Sequence, residues 1–184
     1  MKLLVPIFLL SSCIYGQAPA GISAPWDVSQ SAAALSAQAA RLKPILQQID
    51  PQGWIAKGAP ESYVAQWQSA EQELEYLTNA ASVLQKQPEK LSAAVDTYFR
   101  LQSLEWRLQS LTEGIRKYQD PEVADHLAQV MGENSSNRDN LRQYITDLTK
   151  QQEQELAVVS AEAQRCRVEA NHQDAAPATK KKAK

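Results

Sequence analysis

The chain has 184 residues, a formal net charge of −2 and only six glycines. Ala, Leu, Gln and Glu, which form helices readily, dominate its composition, whereas the Val and Ile that sheets favour are sparse. Acidic residues outnumber basic ones along the body of the chain. This balance excludes a nucleic-acid groove as the main surface, because phosphate binding requires clustered Lys and Arg. The composition predicts an all-α fold, an elongated antiparallel bundle of four to five helices with coiled-coil-like packing over residues 21–170.

The first 20 residues have the composition of a secretory signal peptide. Lys2 supplies a positive charge, residues 3–10 are apolar, and residues 18–20 form a small-residue Ala-Pro-Ala cleavage site. The apolar run is too short to span a membrane, which takes about 20 such residues. We expect cleavage after Ala20, with Gly16 as the alternative site, and export to the periplasm or the extracellular space.

A second interpretation of the leader concerns Cys13. The stretch Leu10-Ser11-Ser12-Cys13 resembles the lipobox of bacterial lipoproteins, in which the cysteine becomes the lipid-modified N-terminus. The resemblance implies an outer-envelope lipoprotein anchored through Cys13. If the leader is instead removed whole, Cys166 is the only cysteine left, and no disulfide can form within the chain.

The first predicted helix follows a cap at Asp27. Its apolar residues recur at alternating steps of four and three, the spacing of packed helices: Val28, Ala32, Leu35, Ala39, Leu42, Leu46 and Ile49. A break rich in Gly and Pro follows at residues 50–60. Trp54 and Ile55 lie in this break, where an exposed Trp would anchor a protein partner. The alternative is that both residues cap one end of the bundle.

Two long helices are predicted over residues 61–87 and 89–118, with Pro88 between them. Because the apolar stripe stays in phase across Pro88, the pattern is compatible with a hairpin and with one continuous helix. We favour the hairpin, which buries both stripes within one molecule. Phe99 and Trp106 lie seven residues apart on a second face of the later helix, and we expect them to bind a partner.

Two further helices complete the predicted bundle. Asp120 caps the first, Pro121 occupies its first position, and Gly132 ends it. A glycosylation sequon at residues 134–136 precedes the last helix, which Ser136 caps.

The inward stripe of the last helix is predicted to comprise Leu141, Ile145, Leu148, Leu156, Val159, Ala163 and Cys166. This phase places Cys166 in the interior as a small apolar residue. Two alternatives stay open for Cys166. One is an interchain disulfide, and the other is a reactive thiol between Arg165 and Arg167.

Residues 171–184 have no apolar periodicity, and we expect a disordered tail there. The tail ends in a cluster of four basic residues, Lys180, Lys181, Lys182 and Lys184. These lysines would make weak contact with an anionic membrane surface. The alternative is that they only keep the chain soluble.

No linear motif for catalysis or for cofactor binding occurs in the sequence. The chain lacks a Gly-rich phosphate loop, a Gly-x-Ser-x-Gly elbow and a Cys-x-x-Cys pair, so we expect no enzyme and no cofactor. Glu71, Glu73 and Glu75 are expected on a solvated face. Glu169 and His172 have the spacing of a di-iron ligand pair, but the motif occurs only once, and we expect no metal there.

These features predict an exported, non-enzymatic helical protein of structural, chaperone-like or other protein-binding type. It would act through a protein partner, and the sequence is compatible with an oligomer as well as with a monomer. The alternative is a metal-binding protein or enzyme of the cell envelope whose ligands come from separate helices.

Overall fold

The computed structural model describes residues 25–133 and 135–174, and within them every regular element is a helix. The elements are α1 (Pro25–Leu46), α2 (Pro51–Ile55), α3 (Ser62–Lys86), α4 (Leu91–Tyr118), α5 (Pro121–Gly132) and α6 (Ser135–Asp174). Five of them pack against one another around a shared core, and α2 is a short helix at one end. The predicted all-α bundle is therefore confirmed.

The apolar stripes predicted from the sequence form this core. All seven positions predicted to face inward from the first helix are buried, from Val28 to Ile49. The same holds for Leu74, Leu77 and Leu84 of α3 and for Leu101, Leu104, Leu108 and Leu111 of α4, whereas Leu91 at the start of α4 is only partly buried. A period between three and four residues places these side chains on one side of each helix, and burying that side drives the packing.

Pro88 marks a hairpin, and the alternative of one continuous helix is wrong. α3 ends at Lys86, α4 begins at Leu91, and the two helices pack along their lengths. Proline has no N–H to donate, and its ring disfavours helical geometry at the residue before it. Gln87 accordingly has a non-helical backbone, with φ −135° and ψ 64°.

An Asp-Pro pair begins each of the two short helices. The Asp120 side chain accepts a hydrogen bond of 2.9 Å from the backbone N–H of Glu122, which confirms the predicted cap. Asp50 accepts one of 3.0 Å from the backbone N–H of Gly53 and so caps α2, which lies inside the predicted break. Both aspartates satisfy N–H groups that the first turn of a helix leaves without partners.

Aromatic side chains close one end of the bundle. The ring of Trp54 packs edge-on against Tyr63, at 5.4 Å between centroids, and stacks on Tyr118 at 6.3 Å. Gln119 accepts hydrogen bonds of 3.0 Å from the indole N–H of Trp54 and the backbone N–H of Asp50. These contacts tie α2 to the ends of α3 and α4.

Glu73 corrects the prediction of a solvated acidic face. Its side chain is buried, and it accepts a hydrogen bond of 3.2 Å from Arg100 of α4. The guanidinium of Arg100 also lies 4.8 Å from the ring centroid of Tyr76. The hydrogen bond that Arg100 donates to Glu73 is the main reason that the pKa of Arg100 is raised above its ordinary value. Glu73 thus joins α3 to α4.

α6 runs antiparallel to α4 and continues past the end of the bundle. Arg138 pairs with Glu105 at 2.8 Å, and six residues later the Tyr144 hydroxyl donates a hydrogen bond of 2.6 Å to the carbonyl of Pro88. Leu148 is the last buried residue, and every residue from 151 to 172 is exposed. We call residues 151–172 the overhang.

The overhang contradicts part of the stripe predicted for this helix. Leu156, Val159, Ala163 and Cys166 keep the predicted phase, but all of them are exposed. Tyr144 already lies at the turn between α3 and α4, so none of the helices α1 to α5 in the described part of the chain extends far enough to cover them. α6 also continues to Asp174, into the segment predicted to be a tail, and residues 175–184 lie outside the described residues.

Candidate partner-binding surface

The two residues predicted as anchors in the break do not form an exposed site. Trp54 is 1% exposed and Ile55 is half-buried. The structure shows the alternative interpretation, in which Trp54 caps the end of the bundle. Its indole N–H finds a partner in Gln119, which allows the ring to be buried without an unsatisfied polar atom.

The other two predicted anchors lie at the surface of α4. Phe99 is 60% exposed and Trp106 is 73% exposed. They are seven residues apart, two helical turns or about 10 Å along the axis. Tyr98 lies partly in the core and contacts Phe99 edge-on, at 5.7 Å between ring centroids. One of the two exposed rings is therefore supported by the bundle beneath it.

A shallow depression of 390 Å³ adjoins Trp106 between α3 and α4. It is lined by Gln66, Ser103, Trp106, Arg107 and Ser110. The Ser110 hydroxyl lies 2.8 Å from the side-chain oxygen of Gln66 and donates to it, which links the two helices across the floor. We call Phe99, Trp106 and this depression the aromatic surface.

Arg107 brings a positive charge to the aromatic surface. Its Nε is buried and has no hydrogen-bond partner among the described residues. Arg100 and Arg138, by contrast, are held by carboxylates. A hydrogen bond to Glu105 is the main reason that the pKa of Arg138 is raised. Arg107 was not predicted from the sequence, although its position directly after Trp106 was a signal, since Trp and Arg are both common at the centre of interfaces.

Cys166 lies on the overhang as a free, exposed thiol. The prediction that it is buried is therefore wrong, and the reason is that the bundle ends before the helix does. The interchain disulfide and the reactive thiol stay predictions.

Several predicted sites lie outside the described residues. They are the leader with Cys13, the sequon residue Asn134, and the cluster Lys180, Lys181, Lys182 and Lys184.

The Glu169 and His172 pair, whose spacing resembles that of metal ligands, lies on the overhang, where both residues are exposed. The other histidine of the chain, His126, is exposed on α5. Within residues 25–133 and 135–174, no group of three or more His, Cys, Asp and Glu side chains is placed to hold a metal ion. The same part of the chain contains no helix with the length and apolar character needed to span a membrane.

A groove of 570 Å³ lies between the packed helices α1 and α3. Ala39, Leu46 and Leu74 line it together with the charged residues Lys43 and Glu71. The groove is mostly apolar, and its charges belong to side chains on two facing helices.

Comparison of the chain with known protein families, with curated proteins and with solved structures finds no match.

Proposed function

We propose that the protein is an exported, non-enzymatic helical bundle that binds a protein partner through the aromatic surface. The observation that carries the proposal is the exposure of Phe99 and Trp106 on a helix whose opposite side is fully packed. Isolated exposed apolar residues are common on protein surfaces. Here, however, two large rings lie two helical turns apart beside an arginine, and aromatic residues and arginine are the residue types enriched at the centre of protein interfaces.

The aromatic surface favours a partner with a particular chemistry. Trp106 and Phe99 offer flat apolar surface, and covering this surface with a partner is favourable because it removes apolar area from water. Arg107 offers a guanidinium that a carboxylate would neutralise. A partner that presents an apolar side chain next to an Asp or Glu fits this arrangement best.

Export is proposed from the sequence of the leader. Lys2, the apolar residues 3–10 and the small residues 18–20 support removal of residues 1–20 on secretion. Anchoring through a lipid on Cys13 is the variant of this proposal that the lipobox resemblance supports. The C-terminal lysines would add a weak attraction to anionic lipid in either case.

Affinity capture from the native cell envelope tests the proposal. The full chain is compared with the double variant Phe99→Ala/Trp106→Ala. Val158→Ala/Val168→Ala serves as the matched control, because those valines are 64% and 54% exposed but lie on the overhang. Circular dichroism and thermal unfolding confirm that all three proteins are folded.

We expect the full chain and the control to recover the same partner. The aromatic double variant should recover at least about tenfold less, since truncating two interface anchors costs more than about 1.4 kcal/mol of binding free energy. Equal recovery by the aromatic double variant would contradict the proposal.

A further inference from the structure

The overhang presents an apolar seam that none of the described residues, 25–133 and 135–174, covers. Leu156, Val159, Ala163, Cys166 and Ala170 form the seam at steps of three and four residues, the polar Gln152 precedes them in the same phase, and all are exposed. Leu156 and Val159, the largest of them, are 66% and 63% exposed. This spacing is the seam of a two-stranded coiled coil, in which each side chain packs between residues of a second helix.

The direction of the seam restricts what can cover it. At 100° per residue, the seam lies on nearly the same side of α6 as Leu141 and Leu148, which face the core. A helix running parallel along the seam would continue into the space that α1 and α4 occupy. A helix running antiparallel would end where the bundle begins, and so it fits.

A second copy of this chain supplies a helix of the required length and polarity. When two overhangs are laid antiparallel, Leu156 faces Cys166 of the second copy, and Val159 faces Ala163. Each of these facing pairs forms one layer of the coiled coil. Every layer then combines a larger side chain with a smaller one, so the layers are similar in volume. The exposed segments of 22 residues, 151–172, cover each other along about 33 Å, and the two bundles lie at opposite ends.

We propose that the overhang is a self-association element, in which two copies pair as an antiparallel coiled coil. Residues beside the seam set its strength. Glu153 lies next to Arg167 of the second copy, and symmetry repeats this attraction. Glu155 lies next to Glu169 of the second copy, and Glu162 faces its own counterpart, so these contacts repel. The pairing is therefore reversible, and removing the charge of Glu162 strengthens it.

Analytical ultracentrifugation of the full chain under reducing conditions tests the pairing. The Leu156→Asp/Val159→Asp variant should have a dimer dissociation constant at least about tenfold higher, because it places charges in the seam. Val158→Asp/Val168→Asp is the matched control, with equally exposed valines off the seam, and should stay within about threefold of the unchanged chain. Glu162→Gln should lower the constant. A chain that stays monomeric, or equal constants for the seam variant and the control, would overturn the proposal.

Disulfide cross-linking tests the orientation. In a Cys13→Ser background, Cys166 of one copy lies about 15 Å from Cys166 of the other, since ten residues separate positions 156 and 166. Adding Leu156→Cys brings thiols 156 and 166 of opposite copies together. Each pair of thiols releases two protons and two electrons to added oxidised glutathione, which becomes two reduced glutathione molecules.

We expect covalent dimers from the protein that carries Leu156→Cys, at least about tenfold more than from the protein in which Cys166 is the only cysteine. The matched control Val158→Cys, which places the second thiol off the seam, should behave like the protein with Cys166 alone. Efficient Cys166–Cys166 cross-linking would indicate a parallel pair and would overturn the proposal.

Discussion

Two tryptophans of the chain have opposite environments. Trp54 fills the end of the bundle between Tyr63 and Tyr118, whereas Trp106 is 73% exposed. We predict that Trp54→Ala lowers the free energy of unfolding by about 3–5 kcal/mol, because it leaves a cavity and removes a partner of Gln119. Trp106→Ala should change it by less than about 0.5 kcal/mol. Urea denaturation measures both, and similar losses for the two variants would refute the assignment.

Gly114 is the site where α4 comes closest to this aromatic cluster. A Cβ at this position would lie 2.8 Å from ring carbons of both Trp54 and Tyr63. Alanine normally stabilises a helix interior relative to glycine by about 1 kcal/mol. We predict that Gly114→Ala instead destabilises the protein by about 1–3 kcal/mol through overpacking.

Gly132 provides the control for that substitution. A Cβ there would meet no atom within 4 Å, so Gly132→Ala should be neutral or stabilising in the same denaturation experiment. A stabilising Gly114→Ala would mean that the rings can move aside.

Sequence reasoning at the residue scale succeeded where periodicity decides and failed where three-dimensional neighbours decide. The stripe positions from Val28 to Ile49 follow from spacing alone. The burial of Trp54 depends on Gln119, which is 65 residues away. Glu73 looked like a solvated residue because its partner, Arg100, lies on the next helix. Pairings of this kind leave no periodic trace in one sequence.

At the scale of the elements, Tyr144 joins α6 to the turn between α3 and α4. Its hydroxyl donates a hydrogen bond to Pro88, and burial, followed by the nearby Glu89, raises the pKa of Tyr144 above its ordinary value of about 10. A raised pKa means that the folded state holds the proton more tightly than the unfolded state. The protonated Tyr144 therefore contributes fully to stability below a pH of about 10. This contribution is lost as the pH rises through the raised pKa of the folded state.

We therefore predict that the free energy of unfolding decreases above a pH of about 10. In the Tyr144→Phe variant it should decrease less steeply over the same range. At neutral pH the variant should be less stable by about 1 kcal/mol, because the Pro88 carbonyl loses its donor. Denaturation curves recorded from about pH 7 to about pH 11 measure both effects. Identical slopes for the two proteins would show that Tyr144 does not titrate in this way.

The helices themselves were largely predictable. Three helix ends followed from local signals, because capping and proline chemistry act within a few residues. Pro88 marked the end of α3 and the start of α4, and Asp120 with Pro121 marked the start of α5. The end of the bundle along α6 was not predictable, since it depends on the lengths of other helices. The seam spacing continues through Cys166 whether or not a neighbour is present.

At the scale of the whole molecule, the two surfaces proposed for binding lie on different helices. The aromatic surface lies on the side of α4, and the seam lies on the overhang. Their separation allows partner binding and self-association to be removed independently, by Phe99→Ala/Trp106→Ala and by Leu156→Asp/Val159→Asp. Stability should be nearly unchanged in both variants, because none of these four side chains is buried.

Leu148 is the last buried residue of α6, and we infer that the bundle is complete there and that the overhang is surface available for binding. Equilibrium unfolding of a chain ending after Lys150, at a concentration where the full chain is monomeric, tests this claim. We predict a free energy of unfolding within about 0.5 kcal/mol of the full chain, whereas a chain ending after Gln143 should lose at least about 4 kcal/mol with Tyr144 and Leu148. A loss of more than about 1 kcal/mol on removing residues 151–184 alone would contradict the claim.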